Sequence, residues 1–290
     1  MLKKIFAFAI ICAAIFFAGN NVHAETSWYW LFADDRYSKF FDPNSVKVEK
    51  KVVTSDGREI PIEIEAWTKT SYTYEGAAET IKTYGIANIL PDPAALSYSV
   101  ALLRINPQNR TLQYAREDFY NDKNEVIWSD GERHVKEINS QSFDEDVYCA
   151  IVDEVFNFNE GDHKIAADRW IELYSYTKEN GDTVNLTADT TTMRLKGSNL
   201  VLWEWETTKN QAGQTLQIRF MKKAVNLTQG TEVIKSGRIW TPNNAWKDLV
   251  DENDGAYRMI KGDEPDYKGL VQLRAYVKKN SRWVCRYSLD

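Results

Sequence analysis

The sequence predicts an α+β protein of two tandem domains, each a mainly antiparallel β-sheet with a C-terminal helix packed on it. Residues 62–72 alternate apolar and polar side chains, as in a half-buried strand, and include Trp67. Residues 200–208 repeat that pattern, with Trp203 in the equivalent place. Residues 142–156 carry apolar side chains at helical spacing. A strand pattern that occurs twice, with a helix after the first copy, indicates two copies of one unit.

The first 24 residues are predicted to form a signal peptide. Lys3 and Lys4 precede an uninterrupted apolar run over residues 5–18, and a small-residue pattern ends at Ala24. This order predicts cleavage after Ala24 and an exported protein of the periplasm, cell surface or extracellular space. The run is short for a bilayer span, so we expect no transmembrane segment after signal cleavage.

The mature chain is predicted to be acidic. The sequence holds 36 basic and 42 acidic residues, and cleavage removes Lys3 and Lys4. The 34 remaining basic residues against 42 acidic ones leave a net charge of −8. Such a surface does not favour nucleic acid or anionic lipid as a partner. Aromatic residues reach 13%, which favours β-sheet cores and protein-binding surfaces.

The first predicted domain covers residues 25–156. Turn residues at Asp42 and an Asp-Gly pair at 56–57 separate its strand patterns. Residues 75–89 are richer in helix formers and are predicted to form a short helix or an irregular excursion. The closing helix, over residues 142–156, starts with acidic side chains that suit a helix N-terminus. Strands are predicted over residues 28–32, 37–41, 46–53, 62–72, 97–105, 111–120 and 125–128.

A polar stretch over residues 157–167 is predicted to be the linker, and the second domain covers residues 168–290. Similar segments then follow in the order of the first domain: residues 170–174 resemble 28–32, 189–195 resemble 42–48, 200–208 resemble 64–72, and 232–236 resemble 125–129. No single similarity is strong. Their shared order predicts an internal duplication.

This alignment leaves residues 73–110 without a counterpart in the second domain. The tail over residues 268–287 resembles residues 98–114, which are predicted to form a strand pair. We therefore expect a C-terminal hairpin that takes the vacant place in the second sheet.

Five motifs follow one another in the first predicted domain. They are a W-x-x-x-[FY] start, a D-x-x-[ST]-[VM] turn, an x-x-W-x-K-x-x-Y strand, an L-Q-Y…Y-N-D-K-N-E-V-I-x-S segment and a closing helix, at residues 28–32, 42–46, 66–72, 112–129 and 142–156. In this combination they resemble the bacterial surface-adhesin E-like family, and the second domain resembles it more weakly. The resemblance implies an antiparallel sheet with a C-terminal helix in a small exported protein. Some family members bind host matrix proteins, so the resemblance also implies a protein ligand.

Two cysteines, Cys149 and Cys285, remain after the predicted cleavage. In an oxidising compartment they are compatible with one disulfide or with two free buried thiols, and the residues alone leave both open. Proteins of the similar family often pair the closing-helix cysteine with one near the place that Pro107 occupies here. The resemblance therefore implies that Cys285 is the partner of Cys149. Such a bond would tie the C-terminal tail to the first domain.

The sequence contains none of the motifs that announce metal or nucleophilic chemistry. His134 and His163 are isolated, and H-E-x-x-H, C-x-x-C, G-x-S-x-G and Walker-type patterns are absent. The acidic run at 251–255 is a candidate Ca²⁺ site, but it lacks EF-hand spacing, and a solvated turn is the simpler explanation. A glycosidase carboxylate pair would leave no sequence signature, because its separation is spatial. We expect no catalytic residue, no metal and no cofactor.

Five tryptophans are candidate ligand-facing side chains, namely Trp28, Trp30, Trp67, Trp203 and Trp205. In the predicted strands, the side chains of Trp67, Trp203 and Trp205 point to the sheet face opposite the one whose apolar side chains point toward a core. Antiparallel sheets often leave one face open, where exposed aromatic rings bind partners. Core packing is the competing explanation for each ring.

Together these patterns predict a non-enzymatic, exported binding protein of the bacterial cell envelope or surface. It would recognise a protein ligand through a sheet face or an edge strand, with aromatic anchors. The first alternative is a structural or assembly protein of the envelope without a host ligand. The second is an exported glycan-binding protein or hydrolase.

Overall fold

The computed structural model describes residues 28–131, 133–142, 144–157, 169–250 and 255–289. The predicted signal peptide and residues 158–167 of the predicted linker lie outside the described residues. Within them, two antiparallel sheets of eight and seven strands each adjoin a helix that follows the strands. This arrangement confirms the predicted fold class. No helix in these ranges has both the length and the apolar character needed to cross a membrane.

The first domain is built from strands that pair mostly with their neighbours along the chain. The strand order is β1-β2-β4-β5-β6-β7, with β3 also on β4 and β8 also on β6. Its elements are β1 (Tyr29–Ala33), β2 (Tyr37–Phe41), β3 (Lys47–Val53), β4 (Glu59–Tyr72), α1 (Tyr74–Tyr84), β5 (Tyr98–Asn106), β6 (Thr111–Tyr120), β7 (Val126–Asp130), β8 (Lys136–Glu137) and α2 (Glu145–Phe156).

Strand β4 lies in the middle of this sheet and shows the predicted alternation. Ile64 and Ala66 are fully buried, whereas Glu65 and Trp67 are half-buried on the opposite face. Helix α2 covers the buried face with apolar side chains at helical spacing, which are Val147, Tyr148, Ile151 and Val152. The sheet therefore has one face covered by helices and one face with partly exposed side chains, as expected for a two-layer α+β domain.

Helix α1 covers the other end of the same sheet face. It starts after Thr73, whose hydroxyl accepts a hydrogen bond from the Gly76 N–H at 3.3 Å, and it ends at Gly85, which has a left-handed φ of 66°. Ala77 and Ile81 on this helix pack in one apolar cluster with Phe119 of β6. The sequence left open a helix or an irregular excursion here, and the structure contains a capped helix.

Gly76 is expected to be intolerant of any side chain. A Cβ placed on it would overlap the carbonyl oxygen of Arg36 in the β1–β2 turn. We expect Gly76→Ala to lower the free energy of unfolding by roughly 1–3 kcal/mol, because backbone would have to move. Urea denaturation followed by circular dichroism measures the change. Gly131→Ala is the matched control, since a Cβ there meets no atom within 4 Å, and equal losses in the two variants would contradict the overlap argument.

The second domain repeats the architecture with longer strands. The strand order is β14-β13-β12-β11-β10-β9, with β15 also on β13. Its elements are β9 (Trp170–Thr177), β10 (Thr183–Lys196), β11 (Asn199–Lys209), β12 (Thr215–Asn226), β13 (Thr231–Thr241), β14 (Asn244–Asp248), β15 (Arg258–Met259), α3 (Pro265–Lys279) and α4 (Ser281–Val284). Helix α3 covers one sheet face, where Leu270 and Leu273 share a core with Leu186 and Leu202.

The turn at Asp42 links the outer strands of the first sheet to β4. The Asp42 carboxylate accepts from the Asn44 N–H at 3.0 Å. The Ser45 hydroxyl donates to the Asp42 carbonyl oxygen at 2.7 Å and accepts from the Trp67 N–H at 2.9 Å. This short-range turn therefore fixes the register of β4 beside it.

The same hydrogen bonds recur around Asp189 in the second domain. The Asp189 carboxylate accepts from the Thr191 N–H at 3.0 Å. The Thr192 hydroxyl donates to the Asp189 carbonyl oxygen at 2.8 Å and accepts from the Trp203 N–H at 2.9 Å. Atom for atom, Asp189 and Trp203 take the places of Asp42 and Trp67. The two turns match the predicted alignment of residues 189–195 with 42–48.

A second pair of equivalent contacts corrects the rest of that alignment. The Ile138 N–H donates to the Arg110 carbonyl oxygen at 2.8 Å, and the Ile260 N–H donates to the Gly230 carbonyl oxygen at 2.9 Å. Arg110 and Gly230 both have positive φ, at 53° and 67°. Strand β13 is therefore the counterpart of β6, and β15 is the counterpart of β8.

It follows that β12 is the counterpart of β5, because it pairs with β11 as β5 pairs with β4. The prediction that the second domain lacks this strand was wrong, as was the alignment of residues 232–236 with 125–129. Strands share a two-residue period, so a short match does not identify which strand it belongs to. Among the described residues of the first domain, only α1 and the segment around it have no counterpart in the described part of the second domain.

The predicted C-terminal hairpin was also wrong. The tail forms helix α3, with Pro265 at its first position, which suits a helix start. Leu270 and Leu273 are buried and Tyr276 and Val277 partly so, a spacing of three and four residues that is helical. Helix α3 thus takes the place of α2 in the second domain.

The chain beyond α4 returns to the first domain. Tyr287 is buried in the core beneath α2, and its ring lies edge-on to Phe156 at 5.0 Å between centroids. Cys149 and Cys285 are both free thiols, so the predicted disulfide is not formed. Burial raises the pKa of Cys149 to about 12, which keeps its thiol protonated and unreactive. Apolar packing of Tyr287 makes the connection that the disulfide was expected to make.

Candidate functional site

The uncovered face of the second sheet carries a cluster of aromatic rings. Leu202 and Glu204 of β11 point toward α3, so Trp203 and Trp205 lie on the opposite face. Strand β12 places Phe220 directly beside Trp205 in the antiparallel register. The alternation of β11 thus puts its two tryptophans next to a third ring.

Four rings form a continuous aromatic surface. Trp203 and Phe220 are stacked, with centroids 4.5 Å apart and an interplanar angle of 20°. Trp205 lies 5.6 Å from Phe220 and 6.0 Å from Trp246 of β14, the latter in an edge-on arrangement. Such geometries are favourable for aromatic pairs, so each ring holds the next in place.

A segment of the first domain forms the facing wall. Together with the rings it encloses a cavity of about 380 Å³, which is called the aromatic groove below. Its lining residues are Asn139, Ser140, Ser142, Trp203, Trp205, Phe220, Ser236, Gly237, Arg238, Trp246 and Asp248. The volume and the mixture of apolar rings with a few polar groups are typical of a ligand site.

Polar side chains form the rim of the aromatic groove. Arg238 is exposed, and its guanidinium lies 5.8 Å from the centre of the Trp246 ring. Asp248 and Ser236 are exposed on the same side. The rim therefore offers one cation, one carboxylate and hydroxyl groups around an aromatic floor, which provides hydrogen bonds at the edge and apolar contact in the middle.

Hydrogen bonds and ion pairs of two buried carboxylates hold the two walls of the groove together. Asp189 is fully buried and accepts from Arg169 at 2.7 Å and from the Ser140 hydroxyl of the facing wall. Arg169 also donates to Glu145 at the start of α2, at 2.8 Å. Charge-assisted bonds of this kind are stronger and more directional than neutral ones. The wall segment is thus fixed to the turn that precedes Trp203.

Two further contacts cross between the domains. Lys222 of β12 pairs with Glu137 at 2.6 Å, and Lys196 donates to the Asn109 side chain at 2.7 Å. Both join the first domain to the second sheet. The aromatic groove is therefore built from both domains.

The predicted tryptophans are found in different environments. Trp205 is half-buried in the groove, whereas Trp203, which stacks on Phe220, is only 4% exposed. Trp67 is half-buried on the uncovered face of the first sheet, Trp28 is half-buried, and Trp30 is 57% exposed. The structure brings together Trp203 and Trp205, and it places the other three in the first domain.

Sequence reasoning missed Phe220, Trp246 and Arg238. Phe220 occurs in an alternating stretch that reads as an ordinary strand, and Trp246 follows a turn-forming Asn-Asn pair. The available signal was that four of the ten tryptophans, Trp203, Trp205, Trp240 and Trp246, fall between residues 203 and 246. Without the strand pairing, nothing in the sequence places these three side chains on one face.

No group of three or more metal-ligating side chains occurs in the part of the chain that the structure describes. His134 is exposed on the surface. His163 and residues 251–254 of the candidate Ca²⁺ run lie outside the described residues.

Comparison with protein-family models and with curated proteins finds no match to this chain. The resemblance to the surface-adhesin E-like family therefore stays a prediction from the motifs of the first domain.

Proposed function

We propose that the protein is a non-enzymatic binding protein, exported to the bacterial cell envelope or surface, that holds a segment of a protein ligand in the aromatic groove. The observation that carries the proposal is the cluster of Trp205, Phe220 and Trp246 on the sheet face opposite α3, in a cavity that the first domain also lines. Burial of Trp and Tyr rings accounts for much of the binding free energy at protein interfaces. The predicted signal peptide supports export of the chain.

The chemistry of the groove favours an extended, proline-rich segment as the occupant. Such segments adopt a polyproline II helix and dock between aromatic rings, which costs little conformational entropy because the helix is preformed. Their backbone carbonyls are unpaired and accept hydrogen bonds from rim groups such as Arg238. A residue of either charge beside the prolines finds a partner in Arg238 or Asp248.

We expect decaproline to bind the wild-type chain saturably, with affinity reduced at least tenfold by Trp205→Ala or by Trp246→Ala. Loss of a buried aromatic anchor typically costs more than about 1 kcal/mol, and 1.4 kcal/mol corresponds to a tenfold change. Isothermal titration calorimetry measures the affinities. Trp30→Ala is the matched control, because this tryptophan is exposed on the first domain. The Trp30→Ala variant should bind decaproline with the affinity of the wild type.

Four results would count against the proposal. Failure of decaproline to bind excludes the polyproline mode, and unchanged affinity in Trp205→Ala and Trp246→Ala excludes the groove. Binding of an oligosaccharide that is lost in both variants would assign the groove to the glycan-binding alternative. Cell fractionation tests the location, because recovery in the cytoplasm would contradict export.

A further inference from the structure

The covered face of the first sheet changes from apolar to polar between its two helices. Helices α1 and α2 cover separate ends of this face, and the strip between them carries buried polar side chains. These include Lys39, Thr68, Thr70, Ser99 and Glu117. A sheet face that only packs against helices needs no such groups, because their burial is costly without hydrogen bonds.

A cavity of about 350 Å³ lies over this polar strip, separate from the aromatic groove. Its residues are Tyr37, Lys39, Thr70, Tyr72, Glu79, Thr80, Thr83, Tyr84, Tyr114 and Glu117. Glu79 and Thr83 of α1 are exposed at its edge, and Lys39 is only 2% exposed. The cavity therefore extends from the protein surface at α1 to a buried cation.

Lys39 lies on β2 with its ammonium group among polar side chains. Its Nζ donates to the Tyr114 hydroxyl at 3.3 Å, and the same hydroxyl donates to Asp144 at 2.9 Å. Burial lowers the pKa of Lys39 to about 8, although the Asp144 carboxylate acts against that change. Perturbed cations in a cavity are often found at binding sites.

The carboxylates that line the cavity already have basic partners. Glu117 accepts from Tyr84 at 2.8 Å and from Ser99 at 2.6 Å, and it also forms an ion pair with Arg133. These bonds satisfy Glu117, so it offers little to a cationic ligand. The second carboxylate of the cavity, Glu79, is also satisfied, because it pairs with Arg36 at 2.5 Å and accepts from the Tyr37 hydroxyl at 3.0 Å.

We propose that this cavity is a second binding site, which takes a small organic carboxylate with a single aromatic ring and places its carboxylate against Lys39. Because Glu79 and Glu117 are already paired, the cavity disfavours a cationic ligand. The Lys39 ammonium group and several hydroxyls favour an anionic ligand. The rings of Tyr37 and Tyr72, in edge-on contact at 6.0 Å, supply an apolar wall for the body of the ligand. The volume suits one ring better than a larger molecule.

Calorimetric titration of the full chain with benzoate tests the proposal, with benzyl alcohol and inorganic phosphate as comparison ligands. We expect saturable benzoate binding, with benzyl alcohol and phosphate each at least tenfold weaker. Lys39→Met should weaken benzoate at least tenfold. Lys69→Met is the matched control and should leave the affinity unchanged, because Lys69 lies on the opposite sheet face over the Tyr98 ring.

One further variant distinguishes benzoate binding in this cavity from benzoate binding in the aromatic groove. Trp205→Ala should leave benzoate binding intact, and its loss there would place benzoate in the groove and overturn the proposal. Equal affinity for benzyl alcohol, full affinity of Lys39→Met or absence of saturable benzoate binding would each overturn it as well. The comparison of benzoate with benzyl alcohol uses the wild-type chain and decides even where Lys39→Met fails to fold. None of these outcomes depends on decaproline binding.

Discussion

Asp189→Ala is expected to lower the free energy of unfolding by roughly 2–4 kcal/mol. The Asp189 side chain is fully buried and accepts from Arg169 and from the Ser140 hydroxyl of the other domain. Its removal leaves the Arg169 guanidinium with Glu145 as an acceptor but without its second carboxylate. Arg169 is 29% exposed in its side chain, so water reduces the loss below that of a wholly buried pair.

The internal duplication supplies a control for this variant. Asp42 makes the same turn hydrogen bonds in the first domain, but no arginine is among its hydrogen-bond partners in the described residues. Asp42→Ala should therefore lower the free energy of unfolding only by the contribution of the turn hydrogen bonds, about 1 kcal/mol. Urea denaturation at pH 7 gives both values. Equal losses would show that the contacts of Asp189 with Arg169 and Ser140 contribute nothing to stability.

Lys39→Met is expected to raise the free energy of unfolding at pH 7 by roughly 1–3 kcal/mol. The folded pKa of Lys39, about 8, lies below the value of 10.5 for a free lysine, because the side chain is buried. Below pH 8 the folded chain must keep a buried charge that the unfolded chain keeps in water. Methionine fits a similar volume without that charge, although the bond to Tyr114 is lost.

The sign of the pH dependence follows from the same pKa. Between pH 8 and 10.5 the unfolded chain binds more protons at Lys39 than the folded chain, so wild-type stability rises with pH in this window. The advantage of Lys39→Met should therefore shrink from pH 7 to pH 10. Other groups face Lys39, namely Tyr114, Asp144, Lys136 and Arg133, and the pKa of Tyr114 is raised by burial, which keeps its hydroxyl neutral at pH 10.

Denaturation curves of both chains at pH 7 and pH 10 check this expectation. Lys51→Met, at an exposed position, is the matched control and should change the free energy of unfolding at pH 7 by less than Lys39→Met does. A Lys39→Met variant that is less stable than the wild type at pH 7 would show that Lys39 is needed for folding, and not only for binding.

The parts of the fold that were predicted from the sequence depend on local periodicity. The alternation around Trp67 and the helical spacing from Val147 to Val152 both reflect one face in contact with a core. The prediction of a C-terminal hairpin was wrong because it depended on the similarity of residues 268–287 to the sequence of a strand pair. Leu270 and Leu273 already had helical spacing. The spacing of the apolar residues was therefore a better predictor of secondary structure than the sequence similarity between the two segments.

The aromatic groove was predicted only in part, because strand pairing and domain contact create it. Trp203 and Trp205 were found from one strand alone. Phe220 joins them through the register of the next strand, and Ser140 arrives from the other domain. Lys39 is a different case, since it stands between Tyr37 and Phe41 on the apolar side of a short strand. A lysine in that register was a visible signal of a buried charge.

The position of Tyr287 has a consequence for how the chain folds. Its ring completes the core of the first domain, yet it follows the whole of the second domain in the sequence. Domains usually fold as units, with the N-terminal one first as it is synthesised or translocated. Here the first domain stays incomplete until the second has been delivered. The two domains should then unfold in a single cooperative step.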